Sequence, residues 1–181
     1  MILGLDISTS ITGFTIVDDA GNIIDNAAWD FKNAKKFPTM MTKAKFVKEQ
    51  LTKIHKDHKI KKVYIEKSLQ SFRSGFSSAK TLSTLSSFNG ILSWICFEVF
   101  GVEPDYLAAT SARKSCGIII PKGVKAKEIV LQHLIDNEPA FKVEWTKTGK
   151  PKPYCYDKAD SIIIAKAGWL CEQKSKSLKK S

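Results

Sequence analysis

The stretch Met1–Asp25, MILGLDISTSITGFTIVDDAGNIID, decides how the rest of the chain is read. Apolar Ile2, Leu3 and Leu5 lead to a single acid, Asp6; Ser8, Thr9 and Ser10 follow, and a second β-rich run covers 13–17. Asp18-Asp19-Ala20-Gly21-Asn22 is turn chemistry, because Gly and Asn accept positive φ and Asp caps its own backbone, and β-branched Ile23 and Ile24 then resume the extended pattern. Three antiparallel strands are predicted. A carboxylate on the first of them is costly to bury alone, so Asp6 should be neutralised by a cation or lie in a cleft.

Beyond the hairpins, Pro38-Thr39 opens a predicted helix with Met40, Ala44, Val47, Leu51 and Ile54 on one face and a lysine-rich opposite face. KKVYIE, 61–66, is a short strand that ends in a second acid, Glu66. If it neighbours the first strand, Asp6 and Glu66 approach each other at the edge of one sheet. The segment 67–78, KSLQSFRSGFSS, is a loop in which Phe72 and Phe76 around Arg73 would form a stacking wedge for unpaired bases, or would anchor the loop to the core.

A long helix is predicted over Ala79–Phe100; its apolarity on more than one face suggests burial against the sheet and against a second subunit. Pro104–Ala108 gives another short strand, after which Thr110 or Ser111 should cap a helical turn holding Arg113 and Lys114. Val124–Asn137 reads as a helix with Lys122, Lys125 and Lys127 crowded at its start. Cations there oppose the helix dipole, which points to a phosphate-holding role or, more simply, to a solvated surface. Residues 138–153 are loop-like and basic; the last helix, Tyr154–Trp169, follows with Asp157 and Asp160 three apart on one face of its first turn.

At 181 residues with 43% hydrophobic content, the chain suits a single domain, 1–172, followed by a basic tail, 173–181, expected to be disordered. Lys and Arg number 29 against 18 Asp and Glu, a net charge of +11, which favours a polyanionic partner, nucleic acid before an anionic membrane. No signal peptide and no run of about 20 apolar residues is visible, so an intracellular, cytoplasmic protein with no membrane association is expected. The four cysteines are widely spaced with no C-x-x-C pair, which favours reduced structural thiols.

Four carboxylates therefore sit at strand or helix ends in apolar surroundings: Asp6, Glu66, Asp157 and Asp160. Together they form a hard oxygen-ligand set whose mutual repulsion two Mg²⁺ (or Mn²⁺) ions would neutralise. Two such ions about 4 Å apart can activate water and stabilise the leaving oxygen of a phosphodiester. No Ser-His-acid or Cys-His arrangement competes, so the reaction implied is metal-dependent hydrolysis of nucleic acid.

The order β-β-β-α-β-α-β-α, with Asp6 in GLDIS, Glu66 in VYIE, and Asp157 and Asp160 in YDKADSIIIA, resembles the RNase H-like fold and, within it, the RuvC family of Holliday junction resolvases. The resemblance runs from about Ile2 to Leu170. It implies an α/β domain with a mixed five-stranded sheet, three antiparallel strands and then parallel ones, flanked by helices. It further implies a homodimer acting on four-way branched DNA by paired nicks that leave 5′-phosphate and 3′-hydroxyl ends, with a branch-migration helicase as a possible partner. By the match of RKSCGIIIPKGVKAKEIV, 113–130, Arg113 or Lys114, and Lys127, would contact phosphates near the cut, and the helix holding Asn89 and Gly90 matches the dimer helix. The Ser-rich stretch after Glu66 and the basic insertion 141–154 depart from the cellular pattern, which fits a phage or viral branch.

Three alternatives remain. The same fold and chemistry could act on flaps, forks or RNA/DNA hybrids. A non-catalytic junction-binding protein would not need all four acids. The stretch GLDISTSITGFTIVDDAGNII, 4–24, also resembles the first phosphate loop of sugar kinases and actin-like ATPases, but 181 residues cannot hold the second loop and second domain that those need.

Overall fold

Alternation along the first strand builds both layers of the molecule. A computed structural model describes residues 1–67 and 79–178; Phe72, Arg73 and Phe76 lie outside the described residues. The strands are β1 (Ile2–Asp6), β2 (Ile11–Val17), β3 (Ile23–Asp30), β4 (Lys62–Glu66) and β5 (Asp105–Leu107). They form one sheet in the order β3-β2-β1-β4-β5. β1–β2 and β2–β3 are antiparallel, whereas β1–β4 and β4–β5 are parallel, so the expected mixed five-stranded sheet is present.

Successive side chains of a strand point to opposite faces. Leu3 and Leu5 of β1, Phe14 and Ile16 of β2, and Val63 and Ile65 of β4 therefore share a core with helices α1 (Met40–Asp57) and α2 (Ala79–Phe100). Ile2, Val17 and Tyr64 face the other way, towards α3 (Ala109–Ser115), α4 (Ala126–Asn137) and α5 (Tyr154–Leu178). Helix α1 starts at the capping box made by Thr39 and Thr42 and buries Ala44, Val47, Leu51 and Ile54 of the expected stripe, with Met40 at its start only half-buried. On the second face α5 lies directly on the sheet. A Cβ on Gly4 would meet the backbone of Ala165, and one on Gly13 would run into the carbonyl of Asp157. Only glycine lets the strand and helix backbones approach so closely.

Four local expectations need correction. Thr110 and Ser111 lie inside α3, whose N-cap position is Ala108 and has no side-chain cap. Helix α4 begins at Ala126 rather than Val124, again without a side-chain cap. Residues 174–178, expected in a disordered tail, continue α5 to Leu178. The extension is anchored: Tyr64 donates to Glu172 at 2.8 Å, and the Trp169 indole N–H donates to the carbonyl of Asp19 at 3.1 Å. Lys176 in the last turn suits the helix dipole. Finally, within the loop expected at 138–153, Trp145 and Pro151 pair in an antiparallel bridge. Among the described residues, no helix is long and apolar enough to cross a membrane.

Candidate active site

Register brings the first two acids together. In the parallel pair β1–β4, Gly4 is opposite Tyr64 and Leu5 opposite Ile65, so the next residues along, Asp6 and Glu66, are neighbours. Adjacent strands lie about 4.8 Å apart. Both acids share the parity of Gly4 and Tyr64 and so face α5. The first two turns of α5 supply Asp157 and Asp160, which lie close enough to raise the pKa of Asp6. The four carboxylates thus lie on one face of the sheet, near the ends of the parallel strands, within electrostatic reach of one another.

Two cations enter from the helices of the same layer. The Arg113 guanidinium is 3.6 Å from Asp160, and the Lys127 ammonium lies 3.7 Å from Asp157 and 3.5 Å from Asp160. Arg113 and Lys127, expected to contact phosphate, are therefore held by carboxylates. This resolves the unfavourable lysine at the start of α4: the acids opposite it outweigh the helix dipole. Lys114 and Lys122 are exposed, and Lys125 is exposed and paired with Glu128 at 3.5 Å.

Four carboxylates against two cations leave an anionic excess, and it appears in the proton affinities. Burial, then repulsion from Glu66 and Asp160, raises Asp6 well above the carboxylate range. Burial and Asp160 push Glu66 up to about 7, against the pull of Arg113 and Lys127. Asp157 is raised as well, mainly by burial, with Lys127 opposing and Asp160 adding to the shift. For Lys127, burial works against the charge, but Asp160, Asp157 and Asp6 prevail and hold its pKa above the ordinary lysine value.

The donor chemistry fits divalent ions: buried, crowded oxygen anions are what a hard cation neutralises. The side chains as placed do not form a finished cage, since among the described residues no three His, Cys, Asp or Glu groups are gathered to hold one ion. Instead, the Lys127 ammonium stands between two of the candidate ligands, and it is 55% exposed, free to withdraw towards solvent.

The sequence did not reveal what fixes the start of α5. Thr15 and Ser161 share a 2.8 Å hydrogen bond inside the molecule. The Asn26 amide donates to the Thr15 hydroxyl at 2.8 Å and reaches the carbonyls of Phe14 and Lys158, both at 3.2 Å. Its own oxygen is buried without a partner among the described residues. This network ties β2 and β3 to the turn between Asp157 and Asp160. Gly13 within a β-branched run was the one available signal of close backbone approach; nothing in the sequence pairs Asn26 with a helix 130 residues away.

No family model matches the chain, and no curated protein does. Solved structures do match. Thermus thermophilus RuvC in complex with a Holliday junction substrate is similar over 96% of this chain and 94% of its own, with TM-score 0.66 and 12% identity. The Thermus thermophilus RuvC structure gives TM-score 0.61 and 14% identity over 96% of each chain. The yeast mitochondrial Holliday junction resolvase Ydc2 gives TM-score 0.59 and 16% identity, over 96% of this chain and 80% of its own. At these identities the likeness is one of fold: the chain has the RuvC-like, RNase H-like architecture.

Proposed function

We propose that the chain is a divalent-metal-dependent endonuclease that resolves four-way DNA junctions, with Asp6, Glu66, Asp157 and Asp160 as its catalytic and metal-holding residues. The observation that carries this reading is that Asp6 and Glu66 end neighbouring parallel strands on the sheet face that α5 covers, while Asp157 and Asp160 at the start of α5 share the Lys127 ammonium, in a chain whose net charge is +11. The fold is shared with a protein whose structure contains a Holliday junction substrate. Residues 1–172 would act as one nuclease domain.

Two Mg²⁺ or Mn²⁺ ions held by the four acids would supply charge neutralisation and an activated water. The chain's own groups then have defined tasks. Glu66, pushed up to about 7 by burial and Asp160 in the metal-free chain, would be held in its charged form as a ligand once an ion binds. Lys127, released from Asp157 and Asp160, can donate to a non-bridging oxygen of the scissile phosphate. Arg113, only 16% exposed, keeps Asp160 in place. Water attacks phosphorus and loses a proton to solvent, the bond from phosphorus to O3′ breaks, and O3′ takes a proton from solvent, so the products carry 5′-phosphate and 3′-hydroxyl ends. Lys114, Lys122 and Lys125 would bind flanking phosphates.

Paired nicks need two such sites, and α2 offers a surface for a second copy: Trp94 is 63% exposed and Phe97 47% exposed, their ring centroids 5.8 Å apart. Continuation of a resolvase with a branch-migration helicase is compatible with this arrangement. Labelled four-way, Y-shaped and linear DNA incubated in Mg²⁺, Mn²⁺ or EDTA tests the reading. Symmetrical nicks in the four-way substrate, abolished by EDTA, are expected. Cleavage confined to flaps, forks or hybrids would keep the chemistry and replace the substrate, and cleavage in EDTA would overturn the metal role.

A further inference from the structure

Nothing so far uses the basic segment ahead of α5, which is built as a rigid projection. The Thr146 N–H donates to the Lys150 carbonyl at 2.7 Å and the Lys152 N–H to the Glu144 carbonyl at 2.8 Å, the ladder of a short antiparallel hairpin around the Trp145–Pro151 pair. The turn closes through the Gly149 N–H to the Thr146 carbonyl at 3.0 Å, with Gly149 at φ +72°. A glycine in this left-handed position is what a tight three-residue hairpin loop demands. The Thr146 hydroxyl accepts from the Lys150 N–H at 3.1 Å and sits 3.0 Å from the Thr148 hydroxyl, stiffening the tip.

The base of the hairpin is fixed to the helix that carries the acids. The Glu144 N–H lies 3.4 Å from the Cys155 sulfur, and the Cys155 thiol points back at the Glu144 carbonyl at 3.6 Å. Lys152 pairs with Glu144 at 2.9 Å and its ammonium lies 5.8 Å from the centre of the Tyr154 ring. Cys155 is two residues before Asp157, so the base of the hairpin adjoins the turn of α5 that carries Asp157 and Asp160.

The projection presents one large aromatic among cations. Trp145 is 53% exposed, and among the described residues its ring stacks on nothing and its indole N–H has no partner. Lys147 and Lys150 are exposed and have no acidic partner among the described residues. An exposed tryptophan flanked by lysines complements a nucleic-acid strand: the ring offers a stacking face to any base, and the ammonium groups meet the phosphates on either side.

We propose that the Trp145 hairpin stacks on an unstacked base at the branch point of the DNA substrate, with Lys147 and Lys150 on the adjoining phosphates, so that it recognises branching next to the cut. The inference rests on the nuclease reading above. It does not depend on the role of Phe72 and Phe76, which lie outside the described residues.

The test compares wild type, Trp145→Ala, Trp145→Phe and the double variant Lys147→Ala/Lys150→Ala. Binding to a four-way junction and to linear duplex is measured in EDTA, with 2-aminopurine at the branch point reporting stacking, and cleavage is measured separately in Mg²⁺. Because one base stack contributes about 1–3 kcal/mol, Trp145→Ala should weaken junction binding roughly 5- to 150-fold while duplex binding and the melting temperature stay unchanged. Trp145→Phe should restore most of the loss and the 2-aminopurine quench. The lysine pair should lower the salt dependence by about two phosphate contacts. Unchanged junction binding by Trp145→Ala, an equal loss on linear duplex, or an unaltered 2-aminopurine signal would overturn the proposal. If wild type binds junctions but never cuts them, the nuclease reading fails and the stacking measurement still stands. If it cuts and Trp145→Ala behaves as wild type, only the hairpin proposal fails.

Discussion

Replacing Glu66 with Gln should make the metal-free protein more stable at pH 7.5 while removing its cleavage activity. Burial and the charge of Asp160 push the Glu66 carboxyl up to about 7 from its ordinary 4.5. Between those two values the folded state holds a proton that the unfolded chain releases. The stability contributed by this protonation is therefore complete below about pH 4.5 and is lost as pH rises through about 7. At about 1.4 kcal/mol per pKa unit the whole shift corresponds to about 3 kcal/mol; part of the repulsion is shared with Asp6 and Asp160, so about 2–3 kcal/mol should be realised. Glutamine keeps the shape and has no charge to bury. In EDTA at pH 7.5, Glu66→Gln should melt about 4–10 °C above wild type, and the two should converge towards pH 4.5. Saturating Mg²⁺ should raise wild type towards the variant and leave the variant almost unmoved. Thermal melts followed by circular dichroism across pH 4.5–8 supply the comparison. If Glu66→Gln is no more stable than wild type at pH 7.5 in EDTA, the glutamate is not held in a crowded anionic pocket and the reasoning is refuted.

Mg²⁺ affinity should tighten as pH rises through 7, because Glu66 must lose its proton to act as a ligand; isothermal titration at pH 6 and pH 8 reads this directly. Gly13→Ala places a methyl group against the Asp157 carbonyl, so a stability loss of about 1–3 kcal/mol in urea titration and weaker metal binding are expected. Asn26→Ala removes the donor shared by Thr15 and Lys158 and should lower stability by about 1–3 kcal/mol, with activity falling through metal affinity rather than DNA affinity. Trp94→Glu on α2 should turn a dimer into a monomer in analytical ultracentrifugation; a dimer that persists would place the second copy elsewhere.

Much of the architecture was legible because it depends on short-range patterns. Alternation in β1 separates Leu3 and Leu5 from Asp6, and the helical spacing of Ala44, Val47, Leu51 and Ile54 marks one buried stripe, whichever partner covers it. The meeting of Asp6 with Glu66 followed once their strands were taken as neighbours, since the parallel register sets them side by side. What the sequence could not show is which cation answers which acid. The resemblance implied phosphate contacts for Arg113 or Lys114, and for Lys127, but could not show that in the folded chain Asp157 and Asp160 engage Arg113 and Lys127. The continuation of α5 to Leu178 escaped for a similar reason. A Lys- and Ser-rich segment reads as solvated, and its order comes from tertiary contacts of Trp169 and Glu172 with Asp19 and Tyr64. The polar network of Thr15, Asn26 and Ser161 joins elements too far apart in sequence for any local signal.

The most direct measurement is the digestion of an end-labelled four-way junction in Mg²⁺ by wild type, Asp6→Asn and Asp160→Asn, with binding measured on the same samples in EDTA. Wild type should give paired nicks with ligatable 5′-phosphate ends, and both variants should bind at least as tightly as wild type while cutting nothing. Cleavage by either variant at the wild-type rate would contradict the account, because the four carboxylates could then not be the catalytic centre.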